Sequence, residues 1–448
     1  MKTPSPFVVP IKLPRIFSKT LITAISYIVF AFLDLLDIVL CLFYRFIDGV
    51  KEGSTHLCYC KNRGTQRKYV NGESEEDTEL SETFFERKNI FREMGFFKLT
   101  KENEEGLIKK EGSVMVKNRW SDCKCESCLS WQKFEDQNLH VAVKQPSPIE
   151  NLESAENVIF LHGFLSSSYL WTENVFLNLS QNGNQNCRLF AVDLLGFGKS
   201  PKPSDCFYTI SDHLEMVEKS VINQFQLGSF HLVAHSMGCI IALGIAAKYQ
   251  KSVKSITLIA PVSTIAVYHC FGRPYFPSSK EQASLNALNR LAERKIWPPL
   301  LFGSSVMSWY EHVGRSICFI ICRNHRTWKW LLKLVTRKRE LSFLFMDLTR
   351  HTHHSAWHTM HNVICGGAKL IDRYLEAVNS SELMLTVIQG DKDEVVPSEC
   401  IHNIKLKVPS AEIRIIPDAN HNSPILDRKE DFCRDLEHIW FSSTEKYK

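Results

Sequence analysis

The sequence predicts an α/β fold built on a mostly parallel, doubly wound sheet. Three observations carry that expectation. Short apolar runs of strand character recur between helical stretches. A serine sits on a strand–turn–helix junction, Phe230-His231-Leu232-Val233 before it and Cys239 to Ala247 after it. Two later strands are each followed at once by a chemically capable residue, Asp393 after Leu383–Gly390 and His421 after Glu412–Pro417. Strands alternating with helices give parallel βαβ units, and such sheets carry their chemistry at the strands' C-terminal ends.

The junction reads Val233-Ala234-His235-Ser236-Met237-Gly238. It is a nucleophile elbow of the G-x-S-x-G type with Ala234 at the first glycine. Such a turn exposes the Ser236 hydroxyl, holds the Met237 N–H where an oxyanion would form, and aims a helix N-terminus at the developing charge. A serine hydroxyl is a weak nucleophile until an imidazole takes its proton, and the imidazole needs a carboxylate to fix its tautomer. His421 is the expected base and Asp393 the expected acid. Asp391 and Glu394 share the same turn as rivals; the spacing from Gly390 to Pro397 selects Asp393. The chain order Ser, Asp, His is that of α/β-hydrolases. Asn420 stands before His421, where this fold often has glycine; Asn tolerates positive φ.

The second oxyanion donor is expected from the loop after the strand Asn157–Leu161. There Gly163 lets the backbone approach, and Phe164, or alternatively Leu165, supplies the N–H. His162 is expected to shape this loop. The strand Arg188–Asp193 is followed by Gly196-x-Gly198 with no third glycine, so it is a tight loop and no dinucleotide site. Ser255–Pro261 is the strand after the elbow helix. No cofactor and no metal are expected in the reaction. A nucleophilic aspartate, as in capped epoxide hydrolases, is excluded at Ser236.

His162 to Trp171, Val192 to Pro203, Val233 to Cys239 and Gly390 to Pro397 resemble the plant BODYGUARD family, over nearly the whole chain. The resemblance implies an α/β-hydrolase described as a probable lysophospholipase or lipid hydrolase, tied to cuticle and cutin formation in epidermis. A transacylase that polymerises hydroxy fatty acids and a noncatalytic hydrolase-like scaffold are the alternatives.

The 448 residues can hold one large domain with additions, and a net charge of +5 gives nucleic-acid binding no support. Five regions are expected. Residues 1–50 form an apolar signal or anchor segment, and 51–105 a polar linker with an acidic run at Glu73–Asp77. The hydrolase core occupies 106–262 and 363–448, with strand candidates at Ser113–Val116 and His140–Val143. Residues 263–362 form a helical cap.

The apolar segment from Leu21 to Ile47 is interrupted by Asp34 and Asp37. Lys2, Lys12, Arg15 and Lys19 before it favour a cytoplasmic N-terminus and a translocated catalytic part. The destination would be the secretory pathway, at the cell membrane or cell wall. An interfacial helix with both aspartates on one polar face, or a hairpin, is the competing reading. The sequons at Asn178 and Asn379 are compatible with secretion. There are fifteen cysteines. Cys58, Cys60, Cys123, Cys125 and Cys128 are expected to form disulfides, with zinc as the alternative.

The cap region is rich in aromatics, including Trp297, Trp328 and Trp330, and in basic residues from Arg323 to Arg339. It is either a solvated face or a surface for a membrane or anionic lipid head group. His354 and His358 share a helical face, but lack the H-E-x-x-H pattern of a zinc site and are expected to pack.

Overall fold

The computed structural model describes residues 15–52, 80–81, 83, 89–94, 119–130, 138–262, 303, 306–337 and 341–446. The strand expected at 113–116, the acidic run at 73–77, Cys58, Cys60, Trp297, Lys338 and Arg339 lie outside them.

Seven strands form one sheet: β1 (Val141–Lys144), β2 (Glu156–Leu161), β3 (Cys187–Val192), β4 (Phe230–His235), β5 (Val253–Ile259), β6 (Met384–Gly390) and β7 (Glu412–Ile416). Their spatial order is β1-β3-β2-β4-β5-β6-β7. β1 runs antiparallel to β3, and every other pairing is parallel. The central strands are mostly apolar and largely buried because both of their faces are covered. Alternate residues divide between two cores: Ile159, Leu161, Phe190 and Leu232 on one side, Val158, Phe160, Leu189 and Val233 on the other. The first core is closed by α2 (Gly238–Lys248) and α6 (Ala368–Ser380). The second is closed by α7 (Lys429–Lys446), through Phe432, Leu436 and Trp440. The chain winds outward in opposite directions from β2 and β4. The loops leaving these two neighbours therefore open a crevice at the switch point.

The N-terminal helix α1 spans Arg15–Glu52. By length and composition, Ala24–Glu52 is long and apolar enough to cross a membrane. Asp34, Asp37 and Asp48 do not face outward; each is at most 3% exposed. They meet α3 (Glu311–Ile321) and its flanks. Asp34 accepts from the Tyr310 hydroxyl at 2.6 Å and the Ile90 N–H at 2.9 Å. Asp37 accepts from the His312 N–H at 3.1 Å. Asp48 accepts two 2.7 Å bonds from Arg315. The opposite side exposes Leu21, Ile25, Ile28, Phe32, Leu35, Val39, Leu42, Phe46 and Val50. That spacing of three and four is one continuous helical stripe, about 45 Å long at 1.5 Å per residue.

Between β5 and β6 the chain also builds α4 (His325–Thr336), a short helix Phe343–Leu348 and α5 (His353–Thr359). The short helix and α5, with Asn362 just beyond it, lie over the loops that follow β2 and β3. The Ser167 hydroxyl donates to Asp347 at 2.8 Å, Ser355 to the Gly196 carbonyl at 3.0 Å and Asn362 to the Phe207 carbonyl at 2.7 Å. Gly196 has φ +87°, and a Cβ there would fall 2.8 Å from that of Ser355, so the contact requires glycine. α4 exposes Trp330, Leu334 and Val335 beside Arg326 and Lys329.

Candidate active site

β4 is buried along its whole length and ends at His235. Ser236 then takes φ 53°. This left-handed conformation costs a non-glycine residue of order 1–3 kcal/mol and persists only where the surroundings enforce it. Here the Ser236 N–H donates to the Ile259 carbonyl at 2.8 Å, and its own carbonyl accepts from Cys239 N–H at 3.0 Å. Helix α2 starts two residues on. A Cβ at Gly238 would stand 2.6 Å from the His162 carbonyl oxygen and 2.7 Å from that of Leu161. Glycine is therefore what brings the helix start against the end of β2. Ala234 causes no conflict, because it is an ordinary strand residue paired with Leu161 and Leu258.

The loop after β2 closes the other side. A Cβ at Gly163 would lie 3.1 Å from that of Ser236. Phe164 follows, its ring edge-on to Phe197 at 5.6 Å. Among the described residues, the Met237 and Phe164 N–H groups have no hydrogen-bond acceptor. His162 is fully buried and spans two loops. Its Nε2 accepts from the Leu194 N–H at 2.9 Å and its Nδ1 donates to the Gly163 carbonyl at 2.7 Å. Burial lowers its pKa, against the pull of Asp193. The ring is thereby a neutral brace.

Asp393 and His421 are brought together from the ends of β6 and β7. Asp393 Oδ2 lies 2.8 Å from His421 Nδ1. Its Oδ1 accepts from the Val395 and Val396 N–H groups at 2.8 and 2.9 Å. Burial alone would push this carboxyl up. The His421 bond and charge, with the two N–H groups, outweigh burial and hold it below the usual value. Asp391 and Glu394 are exposed; Asp391 accepts only a 3.3 Å bond, from the Ala419 N–H. Near His421 the left-handed residue is Asp418, at φ 56°, and not Asn420. The Asn420 side chain instead caps the Asn422 and Ser423 N–H groups at 3.0 and 3.1 Å.

Two supporting residues escaped the sequence reading. Gln389 donates to Asp393 Oδ2 and to the Val396 carbonyl, both at 3.0 Å. His235 donates from Nε2 to the His421 carbonyl at 3.2 Å, with the two rings 4.8 Å apart. Burial drives His235 down to about 3, so it stays neutral. Each is the last or next-to-last residue of a strand, which is the only signal the sequence offered. His354 and His358 pack as buried rings, their centres 3.9 Å apart and tilted by 41°.

This fold, with an elbow serine after β4 and a carboxylate–imidazole pair after β6 and β7, is that of an α/β hydrolase. Residues 156–294 match the family model for the alpha/beta hydrolase fold. The chain is 49% identical over 436 residues to "Probable lysophospholipase BODYGUARD 4" of Arabidopsis thaliana, covering 96% of this chain and 99% of that one. It is 44% identical over 445 residues to "Probable lysophospholipase BODYGUARD 5" of the same plant, covering 94% and 96%. For "Probable lysophospholipase BODYGUARD 1", also of that plant, the figures are 38% over 478 residues, covering 96% and 98%. The chain belongs to the BODYGUARD family of α/β hydrolases.

Proposed function

We propose that the chain is a serine hydrolase of lipid acyl esters, of lysophospholipase type, working at a membrane surface. One observation carries the reading: Asp393 fixes His421 through Nδ1, while the elbow serine is held in the left-handed region. Ser236 Oγ attacks the ester carbonyl while His421 takes its proton. The Met237 and Phe164 N–H groups receive the oxyanion. His421 then protonates the leaving alcohol and activates the water that releases the acyl group.

Residues 263–362 act as the cap that selects the acyl chain. The exposed stripe of α1 and the Trp330, Leu334 and Val335 face of α4 support membrane residence, with Arg326 and Lys329 suited to anionic head groups. The basic residues before α1 support a catalytic part on the secretory side. The relatives' names support the lysophospholipid class. The family resemblance supports a place in cuticle formation at the epidermal surface.

The test uses a fluorophosphonate probe together with a panel of lysophospholipids and nitrophenyl esters of rising chain length. Ser236 should label, Ser236→Ala should neither label nor turn over, and rates should rise with chain length to a plateau. Labelling that survives Ser236→Ala at the wild-type rate would remove the serine mechanism. A preference for acetate would remove the lipid substrate.

A further inference from the structure

Three thiols and an imidazole converge outside the catalytic crevice. Cys123, Cys125 and Cys128 lie on the loop that ends in the short helix Glu126–Ser130, and His325 opens α4. All four ligand atoms lie within 4.8 Å of one another. His325 Nε2 is 3.5 Å from Cys125 Sγ and 3.6 Å from Cys128 Sγ. A tetrahedral zinc ion with Zn–S near 2.3 Å and Zn–N near 2.05 Å sets the S···N edge at about 3.6 Å. The three cysteines are free thiols, which corrects the expected disulfides at these positions. A disulfide would in any case engage two sulfurs and leave the third thiol and the ring unexplained.

Packing gives a separate argument. Helix Glu126–Ser130 has no buried residue, and neither does α4. Two elements without a shared apolar core meet at this cluster, as elements stapled by a metal do.

A second cluster stands on its own distances. Cys318 and Cys322 are one helical turn apart, and His351 Nε2 is 3.5 Å from each sulfur. The three ligand atoms again lie within 4.8 Å of one another. The buried His353 ring packs next to Cys318 but stands outside this group of three. Both clusters line one cavity.

We propose that these are two structural zinc sites. One is a Cys3His site of Cys123, Cys125, Cys128 and His325; the other is held by Cys318, Cys322 and His351. Each cysteine gives up its proton to solvent as its sulfur binds the ion. The sites tie residues 119–130 and the 351–353 segment to α3 and α4.

The experiment measures metal in the purified full chain, expressed with zinc and dialysed against metal-free buffer under reductant. About two equivalents of zinc are expected. Cys125→Ser and His325→Ala should each remove one, and Cys322→Ser the other. A single equivalent lost only in Cys125→Ser keeps the first site and overturns the second; one lost only in Cys322→Ser does the reverse. Loss of a staple can unfold a variant, so cobalt-exchanged wild-type protein provides a second readout. Intense thiolate charge-transfer and tetrahedral visible bands are expected. A weak octahedral spectrum, or protein free of zinc with these cysteines in disulfides, would overturn both sites.

Discussion

Arg315 holds Asp48 in a two-pronged grip: both guanidinium ends donate to the carboxylate at 2.7 Å, and each side chain is only 4% exposed. The pair joins α1 to α3 across 267 residues of sequence. Arg315 also lies 4.3 Å from the centre of the Tyr44 ring. Removing one partner leaves the other as a buried unpaired charge, which costs about 3–5 kcal/mol. Arg315→Gln and Asp48→Asn should therefore loosen the docking of α1, seen as protease sensitivity near residue 50 and a lower urea midpoint. Joint replacement by Met and Leu should restore much of the loss. If either single change leaves both readouts at wild type, the grip does not hold the helix.

The choice of acid is open to a direct comparison. Asp393→Asn should lower kcat by roughly 10⁴, the usual consequence of losing the carboxylate that orients a catalytic imidazole. Asp391→Asn should change it by less than about tenfold, because that side chain is exposed and touches only the Ala419 N–H. The opposite ranking would move the acid to Asp391.

Gly390 sets the end of β6 directly against the loop that follows β7. A Cβ there would come within 2.2 Å of the Ala419 carbonyl oxygen and 2.7 Å of that of Asn420. Gly390→Ala must push away the loop that carries His421. A misplacement of about 1 Å can cost on the order of a hundredfold in rate. The expected result is a fall in kcat of that size in a protein that still folds by circular dichroism. Unchanged turnover would show that the loop yields without moving the imidazole.

Asp347 predicts a pH dependence. Burial, helped by the Asp193 charge, pushes its carboxyl up to about 7, against the Ser167 bond and the Arg350 charge. The fold thus binds this proton more tightly than the unfolded chain, whose Asp titrates near 3.9. The contribution is complete below about pH 4 and is lost as pH rises through about 7. Melting temperature should fall from pH 5 to pH 8, and Asp347→Asn, which stays neutral, should flatten that slope. An identical slope in the variant would place the titration elsewhere.

The apolar stripe of α1 predicts lipid binding. Ile28, Phe32, Val39 and Phe46 are 67, 61, 52 and 69% exposed. At about 0.8 kcal/mol per buried CH₂, changing all four to Ser should abolish cosedimentation with vesicles containing anionic lipid. The catalytic rate on a soluble nitrophenyl ester should be unaffected. Continued cosedimentation would assign the membrane contact to the face of α4.

The sheet, the elbow turn and the pairing of Asp393 with His421 were legible because each is local: a buried run, then a turn, then one polar residue. Spacing alone pointed to Asp393, two residues from Asp391, as the partner of His421. What the sequence hid is what the fold assembles from afar. Nothing near Cys125 points to His325, 200 residues on, so the tight C-x-C spacing read as disulfide. Asp34 and Asp37 read as faults in an apolar span because Tyr310 and His312, their partners, lie about 275 residues downstream. The left-handed residue fell at Asp418 and not Asn420, since the asparagine side chain was already engaged in capping the next turn.

A targeting sequence that is cut away must be dispensable to the body it delivers. Helix α1 does not meet that condition. Its excision would strip Tyr310, His312 and Arg315 of the carboxylates they hold and open the apolar cluster in which Phe30 packs beside Tyr310 and Val313. Helix α1 is therefore an integral part of the folded body, and a copy without it is a copy whose α3 has lost its polar partners.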